Sequence, residues 1–312
     1  MSVIEQLEAG PPAQGGPEPS EPIAIRTMTG ETSIGGQDVR LTYREPRDPS
    51  DITDPVVLLI AHGWNAPESA YGPLAEAVAS LGKPSLTYEE DRSLGLVGDL
   101  NPLNLLRVAA LASKAAWAAT RFARDELGYD KAHGYGHSLG GKTVVNLALN
   151  HSDHMRGLVL DGSVGLNHHR LPGMVGRTGQ FAVGEVVPAL GTLARSHGPK
   201  TGLHVARYMW RHPGRTLAEG VDAGSSNLHE GIARLLYRGI PVSVVQSRND
   251  IYFAHGSVHQ DSGHLFGEHF HLRDDPDSNH LAPQLDPRGT AELIMHALGL
   301  QLEAEAEAAV AA

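Results

Sequence analysis

Residues 55–61 read Pro-Val-Val-Leu-Leu-Ile-Ala, an unbroken apolar run rich in branched side chains. A run of this kind has no polar face to leave in water. It fits a strand covered on both sides, the position a parallel sheet creates when helices pack on each of its faces. The signal recurs at 156–161 (RGLVLD) and 240–246 (IPVSVVQ), with weaker versions near 84–88 and 131–135. Helix-patterned stretches stand between them, at 69–80, at 103–127, after residue 141 (KTVVNLALN) and at the C-terminal DPRGTAELIMHALG. Strands alternating with helices at this spacing predict βαβ units, and so an α/β fold with a mostly parallel central sheet and flanking helices. Two extended segments, 22–28 and 38–44, bracket the turn-prone TGETSIGG and predict a leading hairpin.

Composition divides the chain further. Residues 1–20 are rich in Gly, Pro, Glu and Ser, with little to bury, and read as a disordered lead-in. Residues 301–312 form a helix-prone Ala/Glu tail. The core is expected over 21–162 and 239–300. Residues 163–238 break the alternation: they carry no strong strand and several glycine-punctuated helical pieces. They read as a helical cap inserted before the penultimate core strand. In an open parallel sheet, ligands bind outside the carboxyl ends of the strands, and a cap placed there covers that crevice. The last helix is expected to begin with Asp286 as N-cap and Pro287 at its first position, and to stop at Gly299.

Several function classes fall away on composition. The chain has no cysteine, which excludes a disulfide framework, a thiolate zinc site and a cysteine nucleophile. Lys and Arg total 25 against 36 Asp and Glu, a net charge of −11, unsuited to coating nucleic acid or anionic membrane. No stretch approaches the ~18 uninterrupted apolar residues of a membrane helix. The first residues, MSVIEQLEAG, are acidic and lack the apolar region of a secretory leader. The expectation is a cytoplasmic protein with no integral membrane association and no nucleic-acid partner.

One motif carries chemistry. Gly136-His137-Ser138-Leu139-Gly140, followed by Gly141, fits G-x-S-x-G. With 36 glycines in the chain the pentapeptide alone says little, and a bland alternative is a glycine-rich β–α turn whose serine caps the helix. Context favours the sharper reading, since a strand candidate runs in and a helix candidate runs out. A strand turning directly into a helix strains the central residue, so the positions two before and two after must lack bulk. The serine hydroxyl then stands at the carboxyl edge of the sheet, and the new helix terminus offers the backbone N–H of Leu139.

The order of these signals resembles the α/β-hydrolase superfamily over about residues 20–300. Ala61-His62-Gly63-Trp64, at the end of the strongest strand, is similar to that family's oxyanion loop, which implies that Trp64 donates a backbone N–H; ordinary loop burial is the alternative for its side chain. His62, Gly63 and His137 are candidate pocket residues. The resemblance implies Ser138 as nucleophile with an acid and then a histidine downstream. Asp250, after IPVSVVQSRND, matches the usual acid position, and Asp161, at the end of RGLVLD, is the alternative acid. Among His255, His259, His264, His269, His271, His280 and His296, the layout HLAPQLDP before the last helix selects His280. His269 and His271 alternate with apolar neighbours as one face of the last strand. A metal reading is weighed against the histidine-rich 255–271 segment and His168-His169. Its best pair, His255 and His259, lies in a glycine-interrupted stretch of little helical character, and no metal site is expected. The loop EEDRSLGLVGDLNP departs from the family's usual glycine pattern, which weakens substrate inference.

The resulting expectation is a cofactor-free serine hydrolase acting on a small-molecule acyl substrate, with a carboxylic ester as the first choice. Alternatives are lactone, amide or C–C bond hydrolysis on the same fold, or a non-catalytic binding protein on the hydrolase scaffold. A homo-oligomer is compatible with the sequence.

Overall fold

A computed structural model describes residues 23–34, 37–63, 66–90, 102–167, 213–250, 252–273 and 279–311. The 1–20 segment, the 91–101 loop, Trp64 and residues 168–212 of the expected cap lie outside the described residues.

The chain builds an eight-stranded sheet. Strand β1 (Ile25–Ile34) and β2 (Gln37–Pro46) form the leading hairpin, antiparallel in register from Ile25 opposite Pro46 to Ile34 opposite Gln37. The remaining strands are β3 (Val57–Ala61), β4 (Ser85–Glu90), β5 (Ala132–His137), β6 (Met155–Asp161), β7 (Val242–Ser247) and β8 (Phe270–Arg273). Their order across the sheet is β1-β2-β4-β3-β5-β6-β7-β8. From β4 to β8 every pairing is parallel, and β2 meets β4 antiparallel. The central strand β3 is buried along its whole length, which is what its unbroken apolar run requires.

Helices cover both faces. On one, α1 (Gly72–Ser80) and α8 (Pro287–Ala311) pack Leu74, Val78, Ala291 and Ile294 against Leu58, Ile60, Tyr135 and Val159. On the other, α2 (Pro102–Asp125) and α3 (Leu139–Asn150) pack Ala115, Ala119, Val144 and Leu147 against Val57, Leu59 and Leu160. Alternate residues of β3 thus feed alternate cores, as the two-residue period of a strand dictates. Between β6 and β7 the described part of the insertion forms α4 (Pro213–Gly224) and α5 (His229–Tyr237), whose Ala223, Ile232 and Leu235 join the second core. Lys142 of α3 pairs with Asp222 of α4 at 2.6 Å.

Two helical expectations need correction. Residues 255–266 form a helix, α6 (His255–Phe266), despite two glycines. Val258, Ser262 and Phe266 recur every fourth residue and are all buried, so packing on the sheet overrides weak propensity. A short helix α7 (Ala282–Leu285) precedes α8. Asp286 does cap α8, accepting from the Gly289 N–H at 2.9 Å, but Gly299 does not stop it and the helix continues to Ala311. The Ala- and Glu-rich residues beyond Gly299 are strong helix formers, which offset the roughly 1 kcal/mol cost of one interior glycine.

Candidate active site

Strand β5 ends at His137, and α3 begins at Leu139, so Ser138 must carry the whole reversal in one residue. Its backbone sits at φ 54° and ψ −119°, the only non-glycine with positive φ among the described residues. Such a conformation costs on the order of 1–3 kcal/mol and persists only when its surroundings impose it. Here they do. The Ser138 N–H donates to the Asp161 carbonyl at 2.9 Å, and its own carbonyl accepts from Gly141 at 3.1 Å and Val164 at 3.2 Å. The flanking glycines are sterically required: a Cβ on Gly136 would lie 2.5 Å from the Gly140 carbonyl oxygen, one on Gly140 would collide with the backbone of Ala61, and one on Gly141 with Ser163.

Three side chains from distant points of the chain form one hydrogen-bonded line. Ser138 Oγ lies 3.0 Å from His280 Nε2, and His280 Nδ1 lies 2.8 Å from Asp250 Oδ2. All three residues are buried. The carboxylate is held at both oxygens: Oδ1 accepts from the Tyr252 and Phe253 N–H groups, each at 2.8 Å, and Oδ2 also accepts from Gln246 Nε2 at 3.3 Å. An ionised carboxylate only accepts, so the Nδ1 proton belongs to His280, and its Nε2 is left to accept from the serine hydroxyl. The rings of Tyr252 and Phe253 each lie 5.4 Å from that imidazole. Gly162, at φ 48°, leaves the room behind the pair: a Cβ there would stand 3.0 Å from Asp250 Oδ2 and 3.2 Å from His280 Nδ1.

Asp161 is engaged elsewhere. Its Oδ2 accepts from the Tyr135 hydroxyl at 2.8 Å and from Arg273 Nη2 at 3.3 Å. Arg273 in turn donates to Ser247 Oγ and Thr290 Oγ1, each at 3.1 Å. This cluster ties β6, β7, β8 and α8 together beneath the site. The geometry therefore couples Asp250, not Asp161, to His280.

A small pocket opens over Ser138, walled mainly by apolar groups that include Ala66, Val164, Ala223, Tyr252, Phe253 and Leu281. Gly63 and His137 line it. His62 is not among the described lining residues; its ring lies 5.5 Å from Tyr88 instead. Leu139 occupies the first turn of α3, where a backbone N–H has no intrahelical acceptor. His137 is fully enclosed, and burial, with the neighbouring His280 second, lowers its pKa from 6.5 to about 4. Sequence reasoning missed Tyr71, Gln246, Tyr252, Phe253 and Gln284. Each is brought in by a neighbouring element, and only Tyr252-Phe253, which directly follow the Asp250 segment, carry a local signal that could have found them.

His255 and His259 stand one turn apart on α6 with rings stacked at 5.8 Å. Among the described residues no group of three or more His, Asp or Glu side chains gathers to hold a metal ion. Among them, too, no helix is long and apolar enough to cross a membrane.

A family model for the alpha/beta hydrolase fold matches residues 110–284, more than half of the chain. The chain belongs to the α/β-hydrolase fold family. No curated protein matches its sequence. Solved structures of the fold superpose over most of it. A membrane phospholipase A described as a bacterial virulence factor shares 14% identity, with 88% of this chain and 86% of that chain covered and a TM-score of 0.62. The 2-hydroxy-6-oxo-6-phenylhexa-2,4-dienoate hydrolase of Rhodococcus sp. strain RHA1 shares 14%, over 88% and 99%, at 0.60. The enol-lactonase of Burkholderia xenovorans LB400 shares 14%, over 86% and 100%, at 0.57. At these identities the likeness concerns the fold, and the chemistry of this α/β-hydrolase must be argued from its own site.

Proposed function

We propose that this chain is a serine hydrolase that cleaves a carboxylic ester, or a related acyl bond, through an acyl-enzyme. The reading is carried by one observation, the continuous line from Ser138 through His280 to Asp250 at a strained strand-to-helix turn. A free serine hydroxyl is a weak nucleophile at neutral pH and needs an adjacent base, itself oriented by a third group. Here Ser138 Oγ attacks the carbonyl carbon while His280 Nε2 takes its proton. His280 then returns that proton to the leaving alkoxide. Asp250 keeps the Nδ1 proton in place and stabilises the imidazolium between the two transfers. Water, deprotonated by the same Nε2, attacks the acyl-enzyme and frees the acid and Ser138.

The tetrahedral oxyanion is assigned to two backbone N–H groups, that of Leu139 at the head of α3 and that of Trp64 in the loop after β3. Losing one such donor costs roughly 3 kcal/mol in comparable enzymes. The apolar walls around Ser138 suit an uncharged acyl substrate. The insertion between β6 and β7, which contributes Ala223 to those walls, acts as a cap over the crevice. The intact Ser138, His280 and Asp250 set speaks against a purely receptor role.

The test is covalent labelling with a fluorophosphonate, together with hydrolysis of p-nitrophenyl esters of graded chain length. Wild type should label and Ser138→Ala should not. Folded wild type that fails to label overturns the reading. Labelling without hydrolysis across the ester series moves the substrate to a lactone, an amide or an activated C–C bond.

A further inference from the structure

A second chain of buried hydrogen bonds passes behind the serine. The Gly63 N–H donates to the Tyr71 hydroxyl at 2.8 Å, that hydroxyl lies 2.6 Å from His137 Nδ1, and His137 Nε2 lies 2.7 Å from the backbone carbonyl of His280. Tyr71 and His137 are almost wholly enclosed. The direction of every bond follows from chemistry. A backbone carbonyl only accepts, so His137 carries its proton on Nε2. Burial holds this imidazole neutral down to about pH 4, so Nδ1 is an acceptor. The Tyr71 oxygen accepts from Gly63 and from the side chain of Gln284. Its single proton is left for His137 Nδ1, and burial holds that phenol well above its ordinary range.

We propose that Tyr71 and His137 are positioning residues that lock the loop carrying Gly63 to the backbone of His280, so that the oxyanion-binding loop and the general base keep one fixed spacing. This rests on the serine-hydrolase reading above. Gly63 immediately precedes Trp64, whose N–H is assigned to the oxyanion, and the Gly63 N–H is itself directed to Tyr71 rather than to substrate. The glycine is needed for that approach: a Cβ at 63 would stand 3.0 Å from both Tyr71 Oη and His137 Nδ1, and 3.2 Å from Ser138 Cβ. His137 holds the main chain of His280, just as Asp250 holds its ring. One histidine thus sets the position of the other. Neither Tyr71 nor His137 exchanges a proton with substrate.

The relay is tested in the full chain with Tyr71→Phe, His137→Leu, the Tyr71→Phe/His137→Leu double variant and His137→Gln. Glutamine keeps one donor and one acceptor, and Tyr71→Phe keeps the ring and its packing. The readout is saturable inactivation by a fluorophosphonate, which separates the maximal rate from the binding constant. Misplacing a reacting group by about 1 Å costs on the order of 100-fold. The maximal rate should therefore fall roughly 10- to 100-fold in Tyr71→Phe and His137→Leu, with the binding constant within about twofold of wild type. The double variant should be no slower than the slower single, because both break the same chain, and His137→Gln should recover most of the rate. Nitrogen-15 spectra of wild type should show His137 as the Nε2–H tautomer at neutral pH. Wild-type rates in Tyr71→Phe, multiplying losses in the double variant, or an Nδ1–H tautomer would each overturn the relay while leaving the serine mechanism intact. Wild type that does not label removes both.

Discussion

The parallel strands carry a buried cluster of histidine and carboxylate at each end, and only one of them ends on a serine hydroxyl facing a pocket. At the carboxyl ends, Asp250 and His280 form a line that terminates on Ser138, under a pocket. At the amino ends of β3, β4 and β5, Asp54, Lys83 and His133 form a hydrogen-bonded set. Lys83 Nζ bonds Asp54, the Val56 carbonyl at 2.9 Å and His133 Nδ1 at 3.1 Å, so all three of its protons are engaged. Burial lowers its pKa from 10.5 to about 8, and burial together with the Lys83 charge holds His133 well below 6.5. The residue types are similar at the two ends. What differs is the last link: His280 presents Nε2 to a hydroxyl facing a pocket, whereas at the amino end the Lys83 ammonium directs its protons to Asp54, the Val56 carbonyl and His133. Burial of titratable groups is common to both ends, and reactivity requires an outlet.

Three measurements press on this contrast. The largest effect belongs to Asp250→Asn, expected to lower kcat for ester hydrolysis about 10⁴-fold by presenting the wrong histidine tautomer. Asp54→Asn should leave kcat per folded molecule within about threefold of wild type, and equal losses in the two variants would erase the distinction. Next, Lys83→Met strands the Asp54 carboxylate in the interior. It should destabilise the fold by about 3–5 kcal/mol, read from urea unfolding. The smallest effect is a pH dependence. Because the Lys83 pKa is depressed in the folded state, the unfolded chain holds more protons between pH 8 and 10.5. This lysine's contribution to stability therefore rises with pH across that window and is flat below it. The stability gap between wild type and Lys83→Met should widen from pH 8 to 10.5, and a gap that narrows would contradict the buried, charged lysine.

Much of the candidate site's arrangement is legible in the sequence. Ser138 was visible because steric rules leave few residue types around a strand-to-helix reversal, and Asp250 and His280 because the chain order of the fold narrows the choice. Three kinds of information were not local. Helix α6 hides its period behind Gly256 and Gly263, and its signal was the buried spacing of Val258, Ser262 and Phe266. Lys83 and His133 look like ordinary polar residues beside strands, and only the sheet order brings them onto Asp54. The histidines were numerous and nearly silent. The structure gives His137 a place between Tyr71 and the His280 backbone, and sets His151 face to face with Trp117 at 3.7 Å. Neither arrangement leaves a periodic trace in the sequence.

The two rims of the sheet have a consequence for self-association. At one rim β8 has four residues, too few to template a firm ladder with another chain. At the other, among the described residues β1 pairs only with β2; Thr27, Thr29, Glu31 and Ser33 share one exposed face of it, and Arg26 and Met28 lie exposed on the other. A second copy that extended this sheet through β1 would set the Arg26 and Glu31 charges of the two copies near one another, on opposite faces of the strand. Such pairing would respond to ionic strength, so that light scattering at low and high salt reads directly whether this rim is a meeting surface or an insulated border.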